Sequence, residues 1–417
     1  MIPGSMISSP TVLCRALADC ARGLKADTLV ELAHERGLKG TGPTPVTALY
    51  DVFNRDLGSH TEDAFADAYA QTVVYGLLSA RWMARDATTP FTLDRVGELL
   101  PSTSPFLVAL FQRLLALEGS SAVGARIEGL VSLLQQTPIA SVFSDEDPDP
   151  VIHFYEDFLD AYDPTLRSRR GVYYTPDFVV RHMVDSVHTH LIESFGLPLG
   201  LADTTSWAAF AKQRGIDVPE GIDSTEPFVQ ILDPATGTGT FVKCVIERIH
   251  QTMMHHWSDV PEDECQANWC DYVAGRGRWA NGGLLDRVHA FEVMLAPYVV
   301  AHLRIGLALE ETGFVFDGHH RLQVVLTNAL ERSPECASAV RSALATEAKL
   351  ADTIKHHAAI SVVLGNPPYD RVRAAEGERF WVLNGAVPGR AFQRSLFDDI
   401  IDVARAHTKF SHHASLY

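Results

Sequence analysis

Several absences narrow what this chain does. Its six cysteines, Cys14, Cys20, Cys244, Cys265, Cys270 and Cys336, include no Cys-x-x-Cys pair. With no secretory segment in view they read as reduced thiols, and a cytoplasmic location is expected. Cys265 and Cys270 stand near His255 and His256, but that spacing fits no standard zinc pattern, so no metal site is expected. No Gly-x-x-x-x-Gly-Lys-Ser/Thr stretch occurs, which leaves nothing to support an ATPase. No apolar run approaches the ~20 residues that span a bilayer, so no membrane association is expected. The start, Met-Ile-Pro-Gly-Ser, is neither basic nor followed by a long apolar core, which argues against a signal peptide. A basic excess is missing too: 35 Lys and Arg face 52 Asp and Glu, for a formal net charge of −17. Nucleic-acid binders usually carry a basic face, yet whole-chain charge says little about one local cleft.

The chain has 417 residues, 46% of them hydrophobic, which suits two to three domains with real cores. Residues 1–150 read as an all-α domain. Phe65, Tyr69, Val73 and Leu77 recur at four-residue spacing, as one helical stripe. Leu110, Leu114 and Leu117 do the same. Pro and Gly cluster at 40–45, 101–105 and 145–150, which reads as loops. Such a domain either simply packs, or serves as an arm that connects a catalytic domain to something else or touches DNA. An amphipathic helix over His153–Leu159 follows, then a basic hinge, Arg167-Ser168-Arg169-Arg170. In Gly171-Val172-Tyr173-Tyr174-Thr175-Pro176, Thr175 looks like an N-cap and Pro176 like the first residue of a helix running from Asp177 to Ile192.

Beyond a polar insertion at 200–226, the pattern changes to alternating strands and helices. Phe228–Leu232 predicts a strand, and Asp233-Pro234-Ala235-Thr236-Gly237-Thr238-Gly239-Thr240-Phe241 a glycine-rich turn. A helix from Val242 to Met254 follows. Glycines there let backbone approach a bound nucleoside closely. The third glycine of the dinucleotide fingerprint is absent. Residues 255–284 read as inserted loops. Val288–Glu292 is the next strand, and an acid at its end, Glu292, is well placed to accept hydrogen bonds from both ribose hydroxyls. A helix over Ala296–Leu309, a strand over Leu322–Leu326 leading to Thr327-Asn328, and a helical stretch over 336–357 complete the series. The histidine pairs 255–256, 319–320, 356–357 and 412–413 read as solvent-facing.

The last strand, Ile360–Leu364, stops at Gly365-Asn366-Pro367-Pro368-Tyr369. Prolines cannot continue a ladder, so the strand delivers Asn366 to the carboxyl edge of a sheet, where open α/β sheets bind ligands. Asn-Pro also opens ordinary turns. The chemistry that wants this tetrapeptide is attack by a planar amine, whose lone pair is delocalised. The Asn366 side-chain oxygen and the Pro367 carbonyl can both accept hydrogen bonds from such an NH2. Pro367 and Pro368 stiffen the loop, and Tyr369 offers a face on which a flipped-out base stacks.

In this order, Arg170–Pro176, Asp233–Phe241 and Gly365–Tyr369 resemble the S-adenosylmethionine-dependent N6-adenine DNA methyltransferases of gamma motif order. The likeness is strongest to the coupler and methyltransferase regions of large single-polypeptide, type ISP-like restriction–modification and phage-defence enzymes, and covers roughly residues 60–417. It implies an α/β fold, with a Rossmann-like sheet flanked by helices over residues 151–417. It implies S-adenosyl-L-methionine as cofactor. Tyr174, Thr175 and Pro176 would line its methionine end. Asp233, Ala235, Gly237 and Gly239, with Thr238 and Phe241 in the same stretch, would wrap its amino-acid and ribose portions. Glu292 would hold the ribose, and Asn328 stands near the place where the family usually keeps an Asp for the adenine. Asn366, Pro367, Pro368 and Tyr369 would serve a target adenine flipped out of double-stranded DNA.

The implied reaction is site-specific methylation of adenine N6, without a metal. Methylation of an RNA base or a protein glutamine uses the same tetrapeptide, and a non-catalytic DNA- or partner-binding fragment is a third reading. The large family members carry a nuclease and an ATPase before this region and a target-recognition domain after it. About fifty residues follow Tyr369, too few for such a domain and nearly balanced in charge. The chain is therefore expected to be a fragment or one part of a split enzyme. Alone, it should hold duplex DNA weakly and without sequence preference, and need a C-terminal continuation or a partner subunit to methylate a defined site.

Overall fold

The computed structural model describes residues 7, 9–37, 45–56, 61–85, 90–99, 103, 106–108, 111–112, 121–143, 150–163, 175–280, 282–317, 320–329 and 340–366. Before residue 231 the described elements are helical: α1 (Pro10–Gly37), α2 (Pro45–Asp56), α3 (Glu62–Met83), α4 (Leu93–Leu99), α5 (Ala122–Gln136), α6 (Ile139–Val142), α7 (Pro150–Tyr162), α8 (Asp177–Glu193) and α9 (Trp207–Arg214). Helix α3 is the axis of the first half. Thr61 caps it by accepting from the Ala64 amide at 3.2 Å, and Glu62 and Asp63 complement the dipole in the first turn. Its stripe of Phe65, Tyr69, Val73 and Leu77 is buried, as the spacing predicts, but so is most of its circumference. A helix apolar all round belongs inside a protein, and α3 lies against α1 and α5. Its one buried acid, Asp67, accepts from Gln71 Nε2 at 2.9 Å and Tyr162 Oη at 2.7 Å. Leu110, Leu114 and Leu117 lie outside the described residues, as do most of the three Pro/Gly clusters.

The second half alternates: β1 (Ile231–Asp233), α10 (Thr240–His256), α11 (Glu262–Ala274), α12 (Leu284–Arg287), β2 (Val288–Glu292), α13 (Leu295–Glu311), β3 (Gln323–Leu326), α14 (Val340–His357) and β4 (Val362–Val363). The strands form one parallel sheet in the order β3-β2-β1-β4. Helices cover both faces, so the fold is α/β with a Rossmann-like sheet. On one face Leu232, Phe291 and Val325 pack with Ala351 and Ile354 of α14. On the other, Ile231, Ala290 and Val324 join the main core with Tyr298, Val299 and Ile305 of α13. Helix α13 is buried on nearly every side because it also packs on α3. Thr103 ties the halves further: its carbonyl accepts from the Leu322 amide at 3.0 Å, and its hydroxyl meets His302 Nδ1 at 3.1 Å. His302 Nε2 faces the Val324 carbonyl at 3.2 Å. Burial pushes this imidazole down to about 3, so it is neutral and donates from Nε2. No helix among the described residues is long and apolar enough to cross a membrane.

Five expectations need correction. Helix α8 is not capped by Thr175. Pro176 is the N-cap, its carbonyl accepting from the Val179 and Val180 amides at 2.8 and 3.2 Å, and the Thr175 hydroxyl is engaged elsewhere. The 200–226 segment contains α9, whose buried Phe210 stacks on Phe228 with ring centroids 3.8 Å apart. That stacking holds Phe228 outside the ladder, so the first strand begins at Ile231 instead. The fourth strand contracts to Val362–Val363, although the Leu364 amide still donates to the Leu232 carbonyl at 3.0 Å.

Residues 255–284 are not merely loops: α11 occupies their centre. Three acids fill its first turn, Gly275 ends it with φ +65°, and Trp269, Tyr272 and Val273 are buried at helical spacing. Trp269 also donates to Thr312 Oγ1 at 2.8 Å. This helix is part of the core, so Trp269→Ala should lower the unfolding free energy by about 3–5 kcal/mol. A urea titration measures this, and a loss below ~1 kcal/mol would contradict a core role.

Candidate active site

The strand order places a topological switch next to β1. The chain runs outward from β1 through β2 to β3, then returns to place β4 on the other side of β1. Ligands of open α/β sheets bind in the crevice at such a point, beyond the carboxyl ends of the strands. Two of the resemblance's stretches meet there. β1 ends in Asp233, and β4 leads into Gly365 and Asn366. The approach is very close: a Cβ on Gly365 would lie 2.5 Å from Asp233 Oδ1. A side chain at that position would have to displace the Asp233 carboxyl.

After Asp233 the chain makes the glycine turn and enters α10. Gly239 is the N-cap, with φ +83°. The turn is tied to the end of β2. Thr236 donates its amide to the Phe291 carbonyl at 2.9 Å, and Gly237 donates to Glu292 Oε2 at 2.8 Å. Glu292 Oε1 accepts from Val293 and Met294 at 2.9 and 2.8 Å. An ionised carboxylate has about four acceptor positions, so Glu292 keeps one for a ligand. Gly237 has φ +55°, and a Cβ there would meet nothing within 4 Å. The turn therefore borders open space, and L side chains are strained at that position.

The electrostatics are those of a dry polar site. Burial pushes the Asp233 carboxyl up to about 7, and neighbouring Glu292 adds to this, while the hydrogen bond from the Ala235 amide at 3.2 Å opposes it. Burial also pushes Glu292 up to about 7, against its three amide donors. Asp233 Oδ2 and Thr236 Oγ1 are buried without a well-aligned hydrogen bond, though the hydroxyl lies near enough to favour the ionised Asp233. Unsatisfied polar atoms of this kind are costly in a core. Beside a glycine turn facing open space, they suit a polar ligand.

The remaining expected residues fall as follows. Asn366 Nδ2 donates to Thr175 Oγ1 at 2.9 Å, bringing the first and last of the three stretches together. Pro176 is exposed at the entry to α8. Asn328 lies beyond β3, where its carbonyl accepts from Lys355 Nζ at 2.7 Å. The Phe241 ring is buried in the main core. Thr238 is half-buried in the turn. Tyr174, Pro367, Pro368 and Tyr369 lie outside the described residues. Two contributors lie outside the residues expected from the sequence. Thr236 lay in plain view between Ala235 and Gly237. Lys355, which also donates to Thr327 Oγ1 at 2.8 Å, left no signal, because a helical lysine usually faces water. Among the described residues no group of three His, Cys, Asp or Glu side chains could hold a metal ion.

No family model matches the chain, and no curated protein does. Solved structures match it in fold. The chain is similar to DrdV, from a DrdV–DNA complex, with a TM-score of 0.54 and 20% identity over 87% of this chain and 28% of that one. It is similar to a nuclease-deletion mutant of the Type ISP restriction–modification enzyme LlaGI in complex with a DNA substrate mimic, with 0.53 and 17% over 88% and 25%. It is also similar to the ATP-dependent Type ISP restriction–modification enzyme LlaBIII bound to DNA, with 0.53 and 17% over 86% and 21%. The chain thus spans about a quarter of the length of these proteins. The shared fold takes in both its helical half and its sheet.

The buried carboxyl yields a signed prediction. Folded Asp233 keeps its proton up to about pH 7, whereas the unfolded chain releases it near pH 4. The folded state binds the extra proton, so stability falls as pH rises from about 4 through about 7. Ligand-free Asp233→Asn should therefore gain on the wild type over that window, by at most ~1.4 kcal/mol per pH unit, and hold the gain at higher pH. Thermal unfolding at pH 5 and pH 8 checks it, and an offset that does not change with pH would contradict it.

Proposed function

We propose that this chain transfers a methyl group from S-adenosyl-L-methionine to the N6 amino group of adenine in duplex DNA, as part of a restriction–modification system. The observation that carries the reading is the close approach of Gly365, the residue before Asn366, to Asp233 and the glycine turn at one switch point. The solved neighbours support it further: two are Type ISP restriction–modification enzymes, and all three are complexes with DNA or a DNA substrate mimic. A protein glutamine or an RNA base offers a similar amine, and the DNA-bound neighbours favour DNA. On this reading the helical first half acts as a coupling domain to the methyltransferase domain that follows.

The residues fit the cofactor by their unsatisfied atoms. Asp233 Oδ2, the Thr236 hydroxyl and the last acceptor position on Glu292 would take its polar groups, and Gly237 leaves room for its bulk. When bound, S-adenosyl-L-methionine supplies an electrophilic methyl group. The chain's own work is positioning and electrostatics. Asn366 Oδ1 would accept a hydrogen bond from one N–H of the adenine amine, and the Pro367 carbonyl one from the other. Those two acceptors draw the nitrogen toward tetrahedral geometry and raise its nucleophilicity. Tyr369 would offer its ring for stacking on the flipped base. The acceptors matter most where positive charge develops on nitrogen, in the transition state.

Asn366→Ala should therefore keep S-adenosyl-L-methionine affinity within a few-fold and lose about 100-fold or more in methyl transfer. Calorimetry reads the first quantity and base-resolved sequencing of treated DNA the second. Full transfer by the variant would reduce Asn366 to a turn residue.

A further inference from the structure

A carboxamide is ambivalent. Its oxygen accepts hydrogen bonds and its nitrogen donates them, in groups of nearly equal shape. An asparagine that must accept from a substrate amine is useful in one orientation only. Rotated by 180° about its last bond, it would set NH2 against NH2. Something has to hold the correct orientation, because the two rotamers fill the same space.

In this structure Asn366 Nδ2 donates to Thr175 Oγ1 at 2.9 Å, a contact between residues 191 positions apart. Thr175 is itself well fixed. Pro176 follows it with φ −54°, and a proline restricts the backbone of the residue before it. The Pro176 carbonyl is pinned by the amides of Val179 and Val180. The Thr175 hydroxyl therefore sits on the rigid start of α8, and Asn366 on a strand end held against Asp233 by Gly365. With its nitrogen used by Thr175, Asn366 has Oδ1 left to present.

We propose that Thr175 is a positioning residue that fixes the Asn366 carboxamide with Oδ1 toward the amine to be methylated. The inference rests on the proposed function. It adds that one hydroxyl joins the segment expected at the methyl donor to the residue serving the acceptor, so the two are set relative to each other. Thr175→Val keeps the shape and removes the acceptor, whereas Thr175→Ser keeps the hydroxyl.

Two readouts test this on the full chain. The first is the side-chain NH2 of Asn366, followed by NMR after selective 15N-asparagine labelling and assigned by its loss in Asn366→Ala. In the wild type one of its two protons should exchange with solvent more slowly than the other. That difference should vanish in Thr175→Val and return in Thr175→Ser. The second is single-turnover methyl transfer to DNA with labelled S-adenosyl-L-methionine. Thr175→Val should lose about 10-fold or more in rate at saturating cofactor, with cofactor affinity within a few-fold, and Thr175→Ser should recover most of the rate. The inference is overturned if the two NH2 protons behave alike in the wild type. It is overturned if Thr175→Val changes cofactor affinity and leaves the saturated rate intact, since Thr175 would then only line the donor site. A wild-type chain that transfers no methyl group to DNA overturns the proposed function and the catalytic meaning of the contact together. That result is distinct from a defect confined to Thr175→Val.

Discussion

The closeness of two strand ends governs this molecule. β1 and β4 are neighbours whose sequence positions lie more than a hundred residues apart, and the intervening chain builds the rest of the sheet and two of its covering helices. Where they end, Gly365 lies against the Asp233 carboxyl with no room for a Cβ. Any larger residue would push apart the acid of the glycine turn and the asparagine that follows β4. The site is therefore not carried by one loop. It is produced by the parallel register of Ile231 with Val362 and Leu232 with Val363, and it inherits the rigidity of the core beneath.

That core explains how a polar site is tolerated. Leu232, Phe291 and Val325 fill one face under α14, and α13 fills the other while also packing on α3. Burial on both faces makes the strand ends dry, and dryness pushes Asp233 and Glu292 toward their protonated forms. A buried acid with a raised titration point costs the fold stability as pH rises from about 4 through about 7. Such a conflict between stability and local chemistry is expected at functional sites, and the scaffold has to offset it. Three backbone amides already hold Glu292, and one holds Asp233, so the acids are oriented before any ligand arrives.

The sequence revealed the parts of this fold that depend on local pattern. The strand Val288–Glu292 was readable to the residue, because a β-branched and aromatic run ends in an acid. Helices α8 and α13 were readable to within one or two residues at either end. What escaped depended on contacts between distant positions. Helix α11 was hidden by tryptophans and glycines that resemble loop composition, although Trp269, Tyr272 and Val273 carry helical spacing. The first strand begins three residues later than its local pattern predicts, because nothing local to Phe228 announces that Phe210 claims its ring. Thr175 looked like a cap, and only the fold brings Asn366 to its hydroxyl. The site motifs were visible as words, while their meeting at one crevice is a property of strand order.

On the proposed function, this crevice holds an S-adenosyl methyl donor. Calorimetric titration of the full chain with S-adenosylhomocysteine, the demethylated product, tests it most directly, because binding needs neither DNA nor turnover. Saturable binding at one site per chain is the predicted result. A folded chain that gives no saturable signal up to millimolar ligand would contradict the account.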